Sequence, residues 1–88
     1  MGSSAAHQAV EALERVLGPL AGRRILVIGN GEMGRLAASL LREAGCAVTV
    51  TLRSYRHGET IVPAGCAVAA YEERYRAMEQ AEAVVRGL

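Results

Sequence analysis

The residues of this 88-residue chain with the clearest chemistry run from Gly29 to Gly34, in the order Gly-Asn-Gly-Glu-Met-Gly. Glycines at the first, third and sixth positions, placed after an apolar run and before a helical one, suit the pyrophosphate of a dinucleotide. Gly29 permits the tight turn off a strand. Gly31 lacks a side chain where phosphate oxygens must approach the backbone. Gly34 lets a helix press against the strand. The N-terminus of that helix would offer unpaired N–H groups and a partial positive charge to the anion. Glycine spacing by itself is a weak signal, since a ligand-free turn can carry the same letters. The surrounding order of strand, loop, helix and strand is what gives it weight. Asn30, Glu32 and Met33 complete the candidate cofactor-binding loop. Asn30 is tolerated in a turn, and Glu32 reads as a stabiliser of the helix N-terminus rather than a base.

The end of the following strand selects the cofactor. An NAD site carries Asp or Glu there for the ribose 2′-hydroxyl. Here the strand ends Thr49-Val50-Thr51-Leu52-Arg53-Ser54, with no acid. Arg53 is placed to meet a 2′-phosphate through bidentate, charge-assisted bonds, Ser54 can donate to it, and Arg56 offers a second cation. The expected cofactor is therefore NADP(H). A solvated arginine at a strand end is the plainer alternative. His57 beside Arg56 is read as an exposed loop histidine, Tyr71 and Tyr75 as packing, and Arg74 and Arg76 as solvated.

These residues need a scaffold, and hydrophobic periodicity supplies one. Ser3 or Ser4 can cap a helix over Ala5 to Leu17, with Val10, Leu13, Val16 and Leu17 on one face. Gly18-Pro19 stops it. Ile25-Leu26-Val27-Ile28 is a continuous β-branched run of the kind found in buried parallel strands. A helix is expected from Glu32 to Ala44, ended by Gly45, and then a strand from Cys46 to Leu52. Arg53 to Gly65 reads as a loop with at most a short extended piece at Thr60 to Val62. A strand over Cys66 to Ala70, a helix over Tyr71 to Gln80 and a strand over Ala81 to Val85 complete the pattern. The expected fold is α/β: a partial Rossmann-like three-layer unit, with a mostly parallel sheet of about four strands and an N-terminal helix. It forms one domain over 1–88, with a βαβ core at 24–53 and the remainder at 54–88.

Composition narrows the function. A net charge of +1 gives no strong pull toward nucleic acid or membrane, so no contact with either is expected. No apolar run approaches a membrane span, and the N-terminus lacks the pattern of a secretory signal, so a cytoplasmic protein is expected. Cys46 and Cys66 form no CxxC site and read as small core residues at strand starts. No Asp/Glu/His grouping has metal-ligand spacing, and no Ser–His–acid set is present. The length falls short of the five or six strands of a doubly wound domain. The chain is therefore expected to be a piece of a larger enzyme.

The run Ile25-Leu26-Val27-Ile28-Gly29-Asn30-Gly31-Glu32-Met33-Gly34-Arg35-Leu36-Ala37 resembles the nucleotide-binding domain of glutamyl-tRNA reductase. That family carries a hydrophobic strand, then Gly-Ala-Gly-Glu-Met-Gly, then a helix, and the Glu-Met pair is far more specific than the glycines. Ser3-Ser4-Ala5-Ala6 before a helix is similar to the family's entry into this domain. Arg53-Ser54 falls where the family has an Arg-Thr pair near the NADPH 2′-phosphate. The likeness covers most of the chain to Leu52 and loosens beyond it. It implies an oxidoreductase that reduces glutamyl-tRNA to glutamate-1-semialdehyde with NADPH, at the start of tetrapyrrole (porphyrin) biosynthesis. The family's catalytic cysteine lies in a separate N-terminal domain that nothing here matches, so no catalytic residue is assigned and no activity is expected from these residues alone. Departures are Asn30 for the usual Ala, Tyr55 to Gly65 in place of a helix, and Arg86-Gly87-Leu88 where small hydroxyl residues usually face the cofactor. Two other readings remain: a non-catalytic nucleotide-binding or self-associating module, and a shikimate-dehydrogenase-like NADP domain, which fits Glu32-Met33 less well.

Overall fold

A computed structural model describes residues 4–53 and 61–86. The elements are α1 (Ala5–Leu17), β1 (Arg24–Ile28), α2 (Glu32–Glu43), β2 (Ala47–Leu52), β3 (Ala67–Ala70), a 3-10 turn (Tyr71–Glu73), α3 (Arg74–Glu79) and β4 (Ala83–Arg86). Helix α1 starts where its cap predicts, because the Ser4 hydroxyl accepts from the His7 backbone N–H at 3.2 Å. It stops at Gly18, whose φ of +78° takes the chain out of the helix. Gly45 likewise follows the end of α2 at a φ of +92°.

The four strands form one all-parallel sheet in the order β3-β2-β1-β4. Parallel strands covered on both faces bury their side chains on both sides, which explains the unbroken run Ile25 to Ile28. One face sends Ile25, Val27, Val48, Val50 and Val85 into the core cluster with Ala37, Ala38 and Leu41 of α2 and Ala6 of α1. On the other face Leu26, Thr49 and Ala69 lie beside α3. The layers are thus α1 with α2, the sheet, and α3, a partial Rossmann-like unit. Small residues suit it: Ala37 and Ala38 are fully buried where α2 meets the strands.

Polar contacts tie the strand starts together. Arg23 and Arg24 both pair with Glu82, at 3.1 and 3.4 Å. The Arg23 guanidinium also donates to the carbonyls of Pro19 and Leu17, closing the end of α1 onto the start of the sheet. These bonds lie at the edge opposite the glycine loop.

Several boundaries differ from the sequence reading. The segment Tyr71 to Gln80 is not one helix: its first turn is 3-10, with the Arg74 N–H bonded to the Tyr71 carbonyl. Strand β4 starts at Ala83 rather than Ala81, because the N–H groups of Gln80 and Ala81 still bond back to Ala77 and Met78. Cys46 and Cys66 each sit just before a strand. Ile61 and Val62 belong to no regular element, and Thr60 lies outside the described residues.

Candidate functional site

Strand order fixes where a ligand can sit. In open parallel sheets the crevice opens at the carboxyl ends of neighbouring strands whose connections leave in opposite directions. Strand β1 stands between β2 and β4, so the crevice lies at the ends of β1 and β4. Gly29 to Gly34 occupies that place.

Each glycine has a different local reason to be there. Gly29 turns off β1 at a φ of +97°, a region L side chains rarely enter, and its N–H donates to Thr51 Oγ1 of β2 at 3.0 Å. A Cβ on Gly34 would stand 2.2 Å from the Gly29 carbonyl oxygen, so only glycine lets α2 seat this close to the loop. Gly31 is the opposite case. It caps α2 with a φ of −70°, which any residue adopts, and a Cβ there would meet nothing within 4 Å. The empty space lies outside the fold, in front of a helix start that has no side-chain cap. The first-turn N–H groups of α2, which a helix cannot pair internally, begin at that end. The arrangement fits a phosphate group held by backbone N–H donors.

The rest of the loop is braced. Asn30 is only 5% exposed, and its side-chain Nδ2 donates to the Ile61 carbonyl at 3.1 Å. Its own backbone carbonyl accepts from Arg35 Nη1 at 3.1 Å. Asn30 therefore links the glycine turn to the segment leading into β3, a positioning task the turn reading did not include. Glu32 is exposed in the first turn of α2, where its negative charge favours the helix start. Met33 is half-buried and packs on the core cluster.

Arg53 follows β2 directly and is exposed; its guanidinium carbon lies 4.1 Å from the centre of the Tyr71 ring. Ser54, Arg56 and His57 lie outside the described residues. Tyr71 does pack, as expected, and its ring receives the guanidinium groups of Arg53 and Arg74. Arg74 departs from the solvated reading. It is half-buried, 4.0 Å from Tyr71 and 4.5 Å from Tyr75, because aromatic faces attract a guanidinium. Arg76 is exposed and pairs with Glu73 at 3.6 Å.

Thr51 and Arg35 carry no role in the sequence reading, and Arg86 enters it only as a departure at the cofactor-facing end. Thr51 is wholly buried and braces Gly29, and a threonine within an otherwise apolar strand end was the available signal. Arg86 pairs in register with Ile28, so it stands beside the loop at the crevice. Neither cysteine is shifted toward its thiolate. Burial pushes the Cys46 thiol up against the opposing pull of Arg42, and Glu82 raises it further. Burial raises Cys66 as well, again against Arg42. The Cys46 thiol donates to the Leu20 carbonyl at 3.3 Å. Among the described residues, no helix is long and apolar enough to cross a membrane, and no group of three or more His, Cys, Asp or Glu could hold a metal.

Comparison with known proteins agrees with this geometry. Residues 11–87 match the model of the shikimate / quinate 5-dehydrogenase family. A probable multifunctional siroheme biosynthesis protein of Ruminiclostridium josui is 43% identical over 94% of this chain and 16% of its own length. The glutamyl-tRNA reductase of Acetivibrio thermocellus is 48% identical over 70% of this chain and 19% of its own length. Among solved structures, glutamyl-tRNA reductase from Methanopyrus kandleri superposes with a TM-score of 0.77 at 32% identity, over 97% of this chain and 22% of that one. The chain thus spans roughly a fifth of the length of these relatives. It belongs to the shikimate / quinate 5-dehydrogenase family and is similar to part of glutamyl-tRNA reductases.

Proposed function

We propose that the chain is the NADP(H)-holding domain of a glutamyl-tRNA reductase-type oxidoreductase of tetrapyrrole biosynthesis, working in the cytoplasm with a catalytic cysteine domain that these residues do not supply. The observation that carries the cofactor reading is the uncapped start of α2 behind Gly31, with clear space where a Cβ would stand. Gly29, Asn30, Gly31, Glu32, Met33 and Gly34 form or brace the pyrophosphate seat. Arg53, with Ser54 and Arg56, recognises the 2′-phosphate. When bound, the reduced cofactor supplies hydride. The residues of this chain bind it, orient it and choose it over NAD(H).

Titration of the 88-residue chain with NADPH and NADH tests the reading. Tighter binding of NADPH supports it. Equal affinity for both removes the role of Arg53, and binding of neither removes the role of the glycine loop. A second reading, self-association, is favoured by one observation. Strand β4 is an outer strand with Val84 40% exposed, next to a cleft of about 420 Å³ between it and α1. Sedimentation at several concentrations reads it directly: a monomer throughout excludes it.

A further inference from the structure

We infer that Tyr71 and Arg74 set the position of Arg53 for a phosphate monoester, and are thereby specificity-determining positioning residues for the 2′-phosphate of the cofactor. The inference rests on the reading of Arg53 given above and extends it to residues on a different strand connection.

The placement comes from strand register. Leu52 of β2 pairs with Ala70 of β3, so Arg53 and Tyr71 leave neighbouring parallel strands side by side at the carboxyl edge of the sheet. That is the edge on which ligand sites of such sheets open. The guanidinium carbons of Arg53 and Arg74 lie 4.1 and 4.0 Å from the centre of the same Tyr71 ring. Arg74 is the fixed member. Its Nη1 donates to the Tyr71 carbonyl at 3.1 Å and its Nη2 to the Tyr75 hydroxyl at 3.3 Å. Its Nε is buried and has no hydrogen-bond partner among the described residues. Arg53 is the exposed member, and neither arginine forms an ion pair with another described residue.

Two cations sharing one ring repel each other, and a ring face offsets that only in part. A doubly charged phosphate monoester at the exposed Arg53 offsets that repulsion, and its oxygens suit the planar guanidinium. A dinucleotide with a free 2′-hydroxyl brings no such charge. The ring also holds the long Arg53 side chain before any ligand arrives, which lowers the rotamer freedom lost on binding. Tyr71 therefore acts through Arg53, and Arg74 acts through Tyr71 and through its own charge.

The test is calorimetric titration of the whole chain and its Tyr71→Leu, Tyr71→Phe and Arg74→Gln variants with NADPH and NADH, with thermal melts to establish that each is folded. Tyr71→Leu and Arg74→Gln are expected to weaken NADPH roughly five- to tenfold while NADH stays within about twofold, and Tyr71→Phe to keep the wild-type ratio. Arg74→Gln leaves the ring in place, so it decides the matter if Tyr71→Leu does not fold. A wild type that prefers NADPH, with the same preference in both variants, overturns the inference and leaves the Arg53 reading intact. Parallel weakening of both cofactors also overturns it, because that is general damage to the site. A wild type without preference removes the Arg53 reading and this inference with it.

Discussion

Gly31 and Gly34 are three residues apart, yet the structure gives them opposite sensitivities, and exchanging each for alanine separates binding from folding. At Gly31 the backbone is already in a region open to alanine, and the added Cβ touches nothing. Alanine is a poorer helix cap than glycine by about 0.5 kcal/mol, and restricting the unfolded chain returns about 0.4–1 kcal/mol. The net change in stability is then within about 0.5 kcal/mol, or roughly 4 °C in Tm for a domain of this size. At Gly34 the new Cβ would stand 2.2 Å from a backbone oxygen that cannot swing aside. Overpacking of that kind costs about 1–3 kcal/mol or more, and the gain in helix propensity of about 1 kcal/mol offsets only part of it. Binding should follow the reverse order. The Gly31 methyl would occupy the space before the first N–H groups of α2, where a charged hydrogen bond contributes about 1.5–3 kcal/mol, so NADPH affinity should fall at least about tenfold. Thermal melts with and without NADPH, together with titration, measure both quantities. A Gly31→Ala protein that melts like wild type and binds NADPH as tightly as wild type would refute the assignment of this loop to the pyrophosphate.

Other perturbations probe the bracing around the loop. Thr51→Val keeps the side-chain shape but leaves the Gly29 N–H without its acceptor, and should lower stability by about 1–3 kcal/mol in denaturant melts. Asn30→Ala removes the donor to the Ile61 carbonyl, and should raise amide exchange from Gly29 to Gly31 and around Ile61 while the α1 amides keep their protection. The Glu82 carboxyl is held below its usual value of 4.5, first by its hydrogen bond with Arg23 and further by Arg24, against an opposing effect of burial. Its folded form thus gives up the proton more readily than its unfolded form. The stability it contributes is present above pH 4.5 and disappears as pH falls through the lower, folded value. Glu82→Gln should flatten that part of an acid titration followed by circular dichroism; an unchanged acid limb would assign it to other carboxylates.

Much of the scaffold was legible because its signals are local. Helix α1 runs from Ala5 to Leu17 as read, since Ser4 and Gly18-Pro19 mark its ends within the sequence itself. The Gly-Asn-Gly-Glu-Met-Gly run likewise placed the turn between β1 and α2. Tyr71 to Gln80 was misread as one helix because periodicity does not register the side chain of Arg74 returning to the Tyr71 carbonyl. The least legible contacts join segments distant in sequence. Asn30 meets Ile61 and Arg53 meets Tyr71, and no spacing rule relates those pairs. Each is polar or aromatic and lies where chain segments converge, so the reach of the candidate site beyond the glycine loop is decided by topology.

The central place of β1 also has a consequence for the order in which the molecule can assemble. Every pairing in the sheet is parallel, so each requires a crossover, and none can begin as a local hairpin. Thr51 reaches Gly29 across 22 residues, whereas Glu82 reaches Arg23 across 59. Loop-closure entropy rises with separation, so the β1–α2–β2 unit has the lower barrier and the docking of β4 the higher one. During synthesis the glycine turn can acquire its threonine brace while one flank of β1 still awaits its neighbour. Until β4 arrives, the most apolar strand of the chain keeps an unmatched backbone edge, and that interval is when the nascent chain is most open to mispairing.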